Sequence, residues 1–236
     1  MLRLHDQPAF LLHRRQYSES SLLIEAYTPD YDRIGLIARG ARGSKSALPA
    51  LLQPFQELSL DCSGSGELLR LTRAEPRGAA LALRSERSLA GMYCNELLVR
   101  LLPRGDAQAS LYGRYRQALI ELVDTTSVAW ALRRFERDLL DALGYATDFE
   151  RDAEGVALDP DGRYRFVAES GFVAVADAAR SYGGAALLSM SVSTLPAPEH
   201  LRELRRVLRE LISLQLRGEP LQSWGLLADL PRSNSN

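Results

Sequence analysis

Hydrophobic and polar residues follow two different periods along the chain. In the first third, apolar residues alternate with polar ones over short segments, a pattern that is typical of half-buried strands. Strands are predicted over residues 9–17, 22–28, 33–39, 55–62 and 67–74, with polar or glycine-rich turns at 18–21, 29–32 and 63–66. Five short strands in this space predict a small closed barrel.

Beyond residues 76–78 the period changes from two to about 3.6 residues, which indicates amphipathic helices. Apolar residues recur at helical spacing over 89–101, 111–122, 128–143 and 201–214, and shorter helices are predicted over 185–190 and 223–230. A turn-rich segment at 147–161 and a hairpin at 164–175 interrupt the helices. We therefore predict an α+β chain, with a barrel domain over 1–80 and a helical domain over 81–236 that carries an inserted β segment at about 147–176.

The loop after the third strand is rich in glycine and positive charge. It carries two glycines and three cations, and no acid falls between residues 33 and 57. The cations are Arg39, Arg42 and Lys45. Such a loop favours an anion, which can be a nucleotide, a phosphodiester backbone or an acidic protein tail. A solvated basic turn is the alternative interpretation. An OB-fold is the obvious barrel with such a loop, and another small barrel fits nearly as well.

The spacing in this loop excludes a P-loop. That motif requires glycine followed directly by lysine and then serine or threonine, opening into a helix. Here Ser44 separates Gly43 from Lys45, and Pro49 follows soon after. A polyanion is therefore a better candidate ligand than a nucleotide.

Composition and charge narrow the class further. The chain has 236 residues, of which 46% are hydrophobic, and a net charge of −1, so a nucleic-acid surface must be a local patch. Two cysteines and three widely spaced histidines offer no metal-ligand spacing, and we expect both cysteines to be reduced and partly buried. The sequence shows neither an apolar signal core nor a membrane span, which favours a cytoplasmic, nucleoid-associated protein.

The order of several short motifs resembles one known family, the bacterial DNA repair and recombination mediator RecO. The matching segments run in family order over nearly the whole chain, and as a set they are quite specific. They are Ala9-Phe10-Leu11-Leu12-His13, Tyr17-Ser18-Glu19-Ser20-Ser21-Leu22, Ala38-Arg39-Gly40-Ala41-Arg42, Leu52-Gln53-Pro54-Phe55, Gly91-Met92-Tyr93-Cys94-Asn95-Glu96-Leu97-Leu98, Ala131-Leu132-Arg133-Arg134-Phe135-Glu136, Leu143-Gly144-Tyr145 and Gly171-Phe172.

The resemblance implies an N-terminal OB-fold, a helical domain with a small inserted β segment, and no nucleotide hydrolysis. It also implies binding to single- and double-stranded DNA and annealing of complementary strands. The implied partners are RecR and the acidic C-terminal tail of the single-strand DNA-binding protein (SSB), and the implied outcome is loading of RecA onto gapped DNA. Some family members carry a four-cysteine zinc site in the inserted segment. Residues 147–175 contain no cysteine here, so we expect no zinc and no other cofactor.

Charge indicates which residues would hold DNA. Arg39, Arg42 and Lys45 can each neutralise one phosphate, and Arg14, Arg15 and Arg33 can extend the patch across the barrel. Tyr17 and Tyr31 can stack on bases or pack in the barrel, and the sequence does not decide between these roles.

Arg133 is the candidate for binding the partner's tail. It borders the apolar stripe of the 128–143 helix, which includes Leu132, and the matching family position serves this purpose. We expect the terminal ring of the tail to enter between this helix and the preceding one, near Tyr112 or Tyr115. An ordinary surface arginine is the alternative.

Catalytic chemistry finds little support in the sequence. No acid–base pair, nucleophile triad or metal cluster is apparent, and Glu96 is better explained as a capping or locally paired helix residue. The sequence therefore predicts a binding and annealing factor and not an enzyme. An OB-fold RNA-binding factor and a protein-only adaptor are the alternative functions.

Overall fold

A computed structural model describes residues 1–43, 46–105, 108–177, 179–216 and 218–228. The strands are β1 (Leu2–Gln16), β2 (Leu22–Thr28), β3 (Asp32–Ala38), β4 (Glu57–Gly64), β5 (Leu68–Pro76), β6 (Arg163–Val167), β7 (Gly171–Ala174) and β8 (Tyr182–Gly183). The helices are α1 (Leu48–Leu51), α2 (Glu86–Leu101), α3 (Ala109–Asp124), α4 (Val128–Ala142), α5 (Gly184–Leu188), α6 (Pro198–Gln215) and α7 (Ser223–Ala228). The chain forms two compact units: Met1–Asp124 with the segment that starts at Leu221, and Thr125–Pro220.

The first unit contains a closed five-stranded barrel in the order β1-β2-β3-β5-β4, which returns to β1. Among the strands that the structure describes, only β3 and β5 pair in parallel. Alternate residues of each strand point inward and form the core, which includes Leu11, Ile24, Leu36, Leu60 and Leu69. This order, with helices following the barrel, confirms the predicted α+β class with an OB-type barrel.

Strand β1 starts earlier than the predicted residue 9. Its register shifts twice, between Leu4 and Gln7 and between Leu11 and His13, and Asp6 has a φ of +49°. Each irregularity breaks the alternation of apolar and polar residues, so the pattern does not reveal the first half of the strand. The short helix α1 was also missed; Pro49 lies in its first turn, where proline is compatible with a helix.

Helices α2 and α3 pack on the barrel through aromatic and glycine contacts. Phe10 of β1 lies 5.3 Å from Tyr115, and Tyr27 of β2 lies 5.4 Å from Tyr112, measured between ring centroids. Gly91 lets α2 approach Phe55, because a Cβ at this position would lie 2.6 Å from a ring carbon of Phe55. The barrel and these two helices therefore share a tightly packed interface.

Asn95 of α2 closes the gap in hydrogen bonding that the second irregularity of β1 creates. It is buried, its side-chain N–H group donates to the carbonyl of Leu12 (3.1 Å), and its side-chain oxygen accepts from the hydroxyl of Tyr115 (2.6 Å). One side chain thus satisfies a strand carbonyl and a buried phenol.

Replacing Asn95 with leucine should lower the free energy of unfolding by about 2–3 kcal/mol, because the Leu12 carbonyl and the Tyr115 hydroxyl would each lose a buried hydrogen bond to Asn95. Urea denaturation measures this. In the Asn95→Leu background, Tyr115→Phe should cost less than it does in the parent, because the Tyr115 hydroxyl has already lost its bond to Asn95. If Tyr115→Phe costs the same in both backgrounds, the two side chains are not coupled.

The second unit packs α4 against α6 and carries the small sheet β7-β6-β8. The Ser127 hydroxyl caps α4 by accepting from the N–H of Trp130 (3.2 Å). The apolar stripes face inward, and their buried members include Leu139 and Leu208. The predicted hairpin is present as β6 and β7, whereas β8 was missed because two residues show no periodicity.

Neither Cys62 in β4 nor Cys94 in α2 forms a disulfide, and both are fully buried where partial burial was predicted. Burial raises the pKa of the Cys62 thiol to about 12, so this side chain stays protonated and unreactive. None of the described helices has the length and apolar character needed to cross a membrane.

Candidate nucleic-acid interface

The first part of the basic loop is fixed against the β1–β2 loop. Gly40 adopts a φ of +68°, which suits glycine, and the chain then turns back so that the N–H of Arg42 donates to the carbonyl of Ser20 (3.0 Å). The Arg42 guanidinium donates to the carbonyl of Ser18 (3.1 Å) and remains exposed. Arg39 is also exposed. Both cations therefore lie at the barrel end where β1 ends and β2 begins.

Strand pairing places two further arginines beside this loop. Arg15 is opposite Leu23, Leu23 is opposite Ile37, and Ile37 is opposite Arg70. Residues directly opposite each other project from the same face of a sheet, so these four form one row on the outside of the barrel. Arg15 and Arg70 are exposed, while Leu23 and Ile37 are half-buried. The row therefore has an exposed arginine at each end and two apolar side chains between them.

We call this region the arginine surface. It consists of Arg15, Tyr17, Leu23, Ile37, Arg39, Arg42 and Arg70. Tyr17 follows β1 and has 59% of its surface exposed, so its ring is available for stacking. Tyr31 lies in the β2–β3 turn, at the other end of those strands, and is 39% exposed. Four of these seven residues are arginines, and this concentration of positive charge suits a polyanion.

Two predicted DNA-binding arginines have their side chains engaged inside the protein. Arg14 donates to the carbonyls of Leu52 (2.7 Å) and Pro49 (3.1 Å) and thereby holds the α1 segment. The Arg33 side chain is only 15% exposed and donates to the carbonyl of Leu102 (3.2 Å). Burial lowers the pKa of the Arg33 guanidinium below its usual value, and the nearby Glu25 carboxylate opposes this change. We therefore leave both arginines out of the arginine surface. Lys45 lies outside the described residues.

Arg70 was missed from the sequence. It stands between the inward-facing residues Leu69 and Leu71, so the alternation alone marks it as outward-facing. Its proximity to the basic loop depends on the parallel pairing of β5 with β3, which the alternation does not reveal.

The residues predicted to bind the partner's tail are divided between the two units. Tyr112 and Tyr115 lie in the first unit, where both are buried and donate their hydroxyls to Glu57 (2.9 Å) and Asn95 (2.6 Å). Arg133 and Leu132 lie on α4 in the second unit and are buried as well.

Arg133 has an intramolecular partner in this structure. Its guanidinium donates to the Glu136 carboxylate at 2.5 Å, and the two side chains are 7% and 2% exposed. The spacing of three residues on one helix brings the two groups together. A carboxylate from another molecule would therefore meet a guanidinium that already has one carboxylate partner.

Glu96 acts as a long-range helix cap. Its carboxylate accepts from the N–H groups of Gln222 (2.7 Å) and Ser223 (2.9 Å), and from the Ser223 hydroxyl, at the start of α7. A carboxylate at a helix N-terminus is favourable because it satisfies free N–H groups. The predicted capping role is present, but the partner lies far away in sequence and not on the same helix.

Metal-binding groups are also sparse. Among the described residues, no three or more His, Cys, Asp or Glu side chains cluster in a way that could hold a metal ion. In the inserted segment, Asp152 closes a loop by accepting from the N–H groups of Glu154 (3.0 Å) and Val156 (2.9 Å).

Comparisons with known proteins place the chain in a family. Residues 1–80 match the family model described as "Recombination protein O N terminal", and residues 83–225 match "Recombination protein O C terminal". The DNA repair protein RecO of Xanthomonas oryzae pv. oryzae is 42% identical over 239 residues, covering 98% of this chain and 99% of that protein. RecO of Ralstonia nicotianae is 40% identical, covering 98% and 86%, and that of Methylococcus capsulatus is 39% identical, covering 91% and 89%. The chain therefore belongs to the RecO family of DNA repair proteins.

Proposed function

We propose that this chain binds single- and double-stranded DNA through the arginine surface and anneals complementary strands without hydrolysing a nucleotide. The observation that carries the proposal is the row from Arg15 to Arg70 beside the basic loop, with four arginines within one outer region of the barrel. Phosphate contacts supply most of the affinity for single strands and are independent of sequence. The OB-type barrel supports this assignment, because such barrels bind oligonucleotides on the face of strands 2 and 3.

Annealing places specific demands on such a surface. The two strands repel each other through their phosphates, and their bases must remain free to pair. Arginines that contact only the backbone meet both demands, because they neutralise phosphates and leave the base edges accessible. The exposed ring of Tyr17 can hold one base by stacking without selecting a sequence.

The proposed cellular role follows from family membership. In that role the chain acts with RecR and SSB to load RecA onto gapped DNA. The acidic SSB tail would offer its terminal carboxylate to Arg133, where a guanidinium can form two parallel hydrogen bonds. Since Glu136 already accepts from one nitrogen of this guanidinium, the tail carboxylate would have to share Arg133 with Glu136 or compete with it.

Annealing of bare and SSB-coated complementary strands tests the function. We expect the chain to accelerate both reactions, and an SSB tail peptide added in excess to suppress only the reaction with coated strands. Titrations with labelled DNA and RNA of the same sequence complete the test. Tighter binding to RNA would support an RNA-binding factor, and no binding to either nucleic acid would support a protein-only adaptor.

A further inference from the structure

One cation lies over the barrel next to the arginine surface but is held by an acid. Arg104, in the segment after α2, donates to the Glu25 carboxylate of β2 at 2.5 Å. Its guanidinium lies close to Gly35 of β3, because a Cβ placed on Gly35 would be 3.3 Å from Nη1 of Arg104. The absence of a side chain at Gly35 therefore gives Arg104 room above the β2–β3 face.

The position of Glu25 places this pair beside the arginine surface. Glu25 is opposite Gly35, and Leu23, two residues earlier on β2, belongs to the arginine surface. Residues two apart on a strand share a face and lie about 7 Å from each other. A DNA backbone that follows the β2–β3 face from the arginine surface therefore reaches Arg104 next.

Glu25 also has a second cation. Arg33 lies 3.9 Å from its other carboxylate oxygen, and the Arg33 side chain is only 15% exposed, whereas that of Arg104 is 40% exposed. If Arg104 leaves, Glu25 still faces a positive charge and Arg33 still has its bond to the Leu102 carbonyl. Release of Arg104 would thus cost Glu25 a hydrogen bond but would leave it within 3.9 Å of the positive charge of Arg33.

We infer that Arg104 is a further DNA-binding residue. In the absence of DNA it is paired with Glu25, and a DNA phosphate replaces Glu25 as its partner when DNA binds. This inference rests on the proposed binding of DNA to the barrel. Glu25 then acts as an internal competitor of the phosphate, since it is the group that occupies Arg104 when DNA is absent. The affinity of the barrel for DNA is accordingly set below the value that its cations alone would give.

Variants of both residues test the inference in single-stranded DNA titrations. Glu25→Gln should raise the affinity about two- to five-fold, as expected for removing one exposed ion pair that competes with binding. Arg104→Gln should make the salt slope less steep by about 0.7, the value for one phosphate contact. In the Arg104→Gln background, the gain from Glu25→Gln should disappear.

Two further variants separate the loss of the ion pair from a change in net charge. Glu67→Gln removes an exposed acid next to β5 and should give less than half the gain of Glu25→Gln. Glu25→Asp keeps the charge but shortens the side chain, so it should still raise the affinity.

The inference would be overturned if Glu25→Gln raised DNA affinity equally in the parent and Arg104→Gln backgrounds, or if Glu67→Gln raised it as much as Glu25→Gln does. Unchanged affinity in both Glu25 variants would overturn it as well. Thermal melts confirm folding before titration, and Glu25→Asp carries the test if Glu25→Gln does not fold. If the parent chain shows no salt-dependent binding to DNA, the proposed function fails. If the parent binds DNA but the Glu25 variants bind with unchanged affinity, the proposed function stands and the exchange of Glu25 for a phosphate at Arg104 is excluded.

Discussion

Replacing Arg133 with alanine should lower the free energy of unfolding by about 3–5 kcal/mol. The Glu136 side chain is 2% exposed and Arg133 is its ion-pair partner. Removing only the arginine leaves a buried carboxylate without this compensation, and such losses are costly because the interior solvates charge poorly. Urea denaturation, followed by helical circular dichroism, gives the change in stability.

Two controls define the origin of this loss. Arg205→Ala, which removes an exposed arginine from α6, should change stability by less than about 0.5 kcal/mol. Arg133→Leu combined with Glu136→Leu removes both charges and should recover most of the loss. A loss below about 1 kcal/mol in Arg133→Ala would mean that the buried Glu136 carboxylate does not depend on this ion pair.

The buried pair also changes how the tail-binding prediction must be tested. If Arg133 binds the SSB tail, Arg133→Ala should lower peptide affinity by about 1.5–3 kcal/mol, as expected for a hydrogen bond to a charged group. Calorimetry with the peptide must therefore be run at a temperature where the variant is folded. Equal affinity in the folded variant and the parent would place the tail elsewhere.

Replacing the four arginines of the arginine surface with glutamine should weaken binding to single-stranded DNA by up to roughly 10²–10³-fold at 0.1 M salt. Each phosphate contact adds about 0.7 to the slope of log affinity against log salt. Relative to 1 M salt, four contacts therefore contribute up to about 2.8 decades of affinity at 0.1 M. The substituted residues are Arg15, Arg39, Arg42 and Arg70. All four are exposed, and we expect the fold to remain intact. Fluorescence anisotropy with a labelled oligonucleotide measures the loss, and the annealing rate should fall in parallel.

Helix α6 provides a control with the same change in net charge. Its four exposed arginines, replaced together by glutamine, should weaken binding by less than ten-fold, because none of them belongs to the arginine surface. They are Arg202, Arg205, Arg206 and Arg209. An equal loss in both variants would mean that net charge, and not the arginine surface, determines binding.

The sequence predicted most elements because most have a clear period. The predicted bounds of β2 match the structure. Those of β3 are shifted by one residue at both ends, and that of α4 differs by one residue at its C-terminal end. The pattern fails where a strand is irregular, as at Asp6 in β1, or where an element is too short to show a period, as in α1 and β8.

The sequence located the basic loop but could not show which neighbouring arginines are available to bind DNA and which are bonded inside the protein. Arg14 and Arg33 look as free as Arg15, yet their partners are the carbonyls of Leu52 and Leu102, which are far away in sequence. Charge is visible in a sequence, whereas a distant intramolecular partner is not.

Arg133 is a different case, because its partner was within reach of the sequence. Glu136 lies three residues further along the same predicted helix, so the spacing already allowed an ion pair. Burial of the pair was the part that required the structure.

The salt dependence of single-stranded DNA binding tests most directly whether the arginine surface holds the phosphodiester backbone. Plots of log affinity against log salt should be compared for the parent chain, the arginine-surface variant and the α6 variant. We predict that the slope becomes less steep by up to about 2.8 in the arginine-surface variant and stays within about 0.7 of the parent in the α6 variant. An unchanged slope in the arginine-surface variant, with binding retained, would contradict the account and place the DNA site elsewhere in the chain.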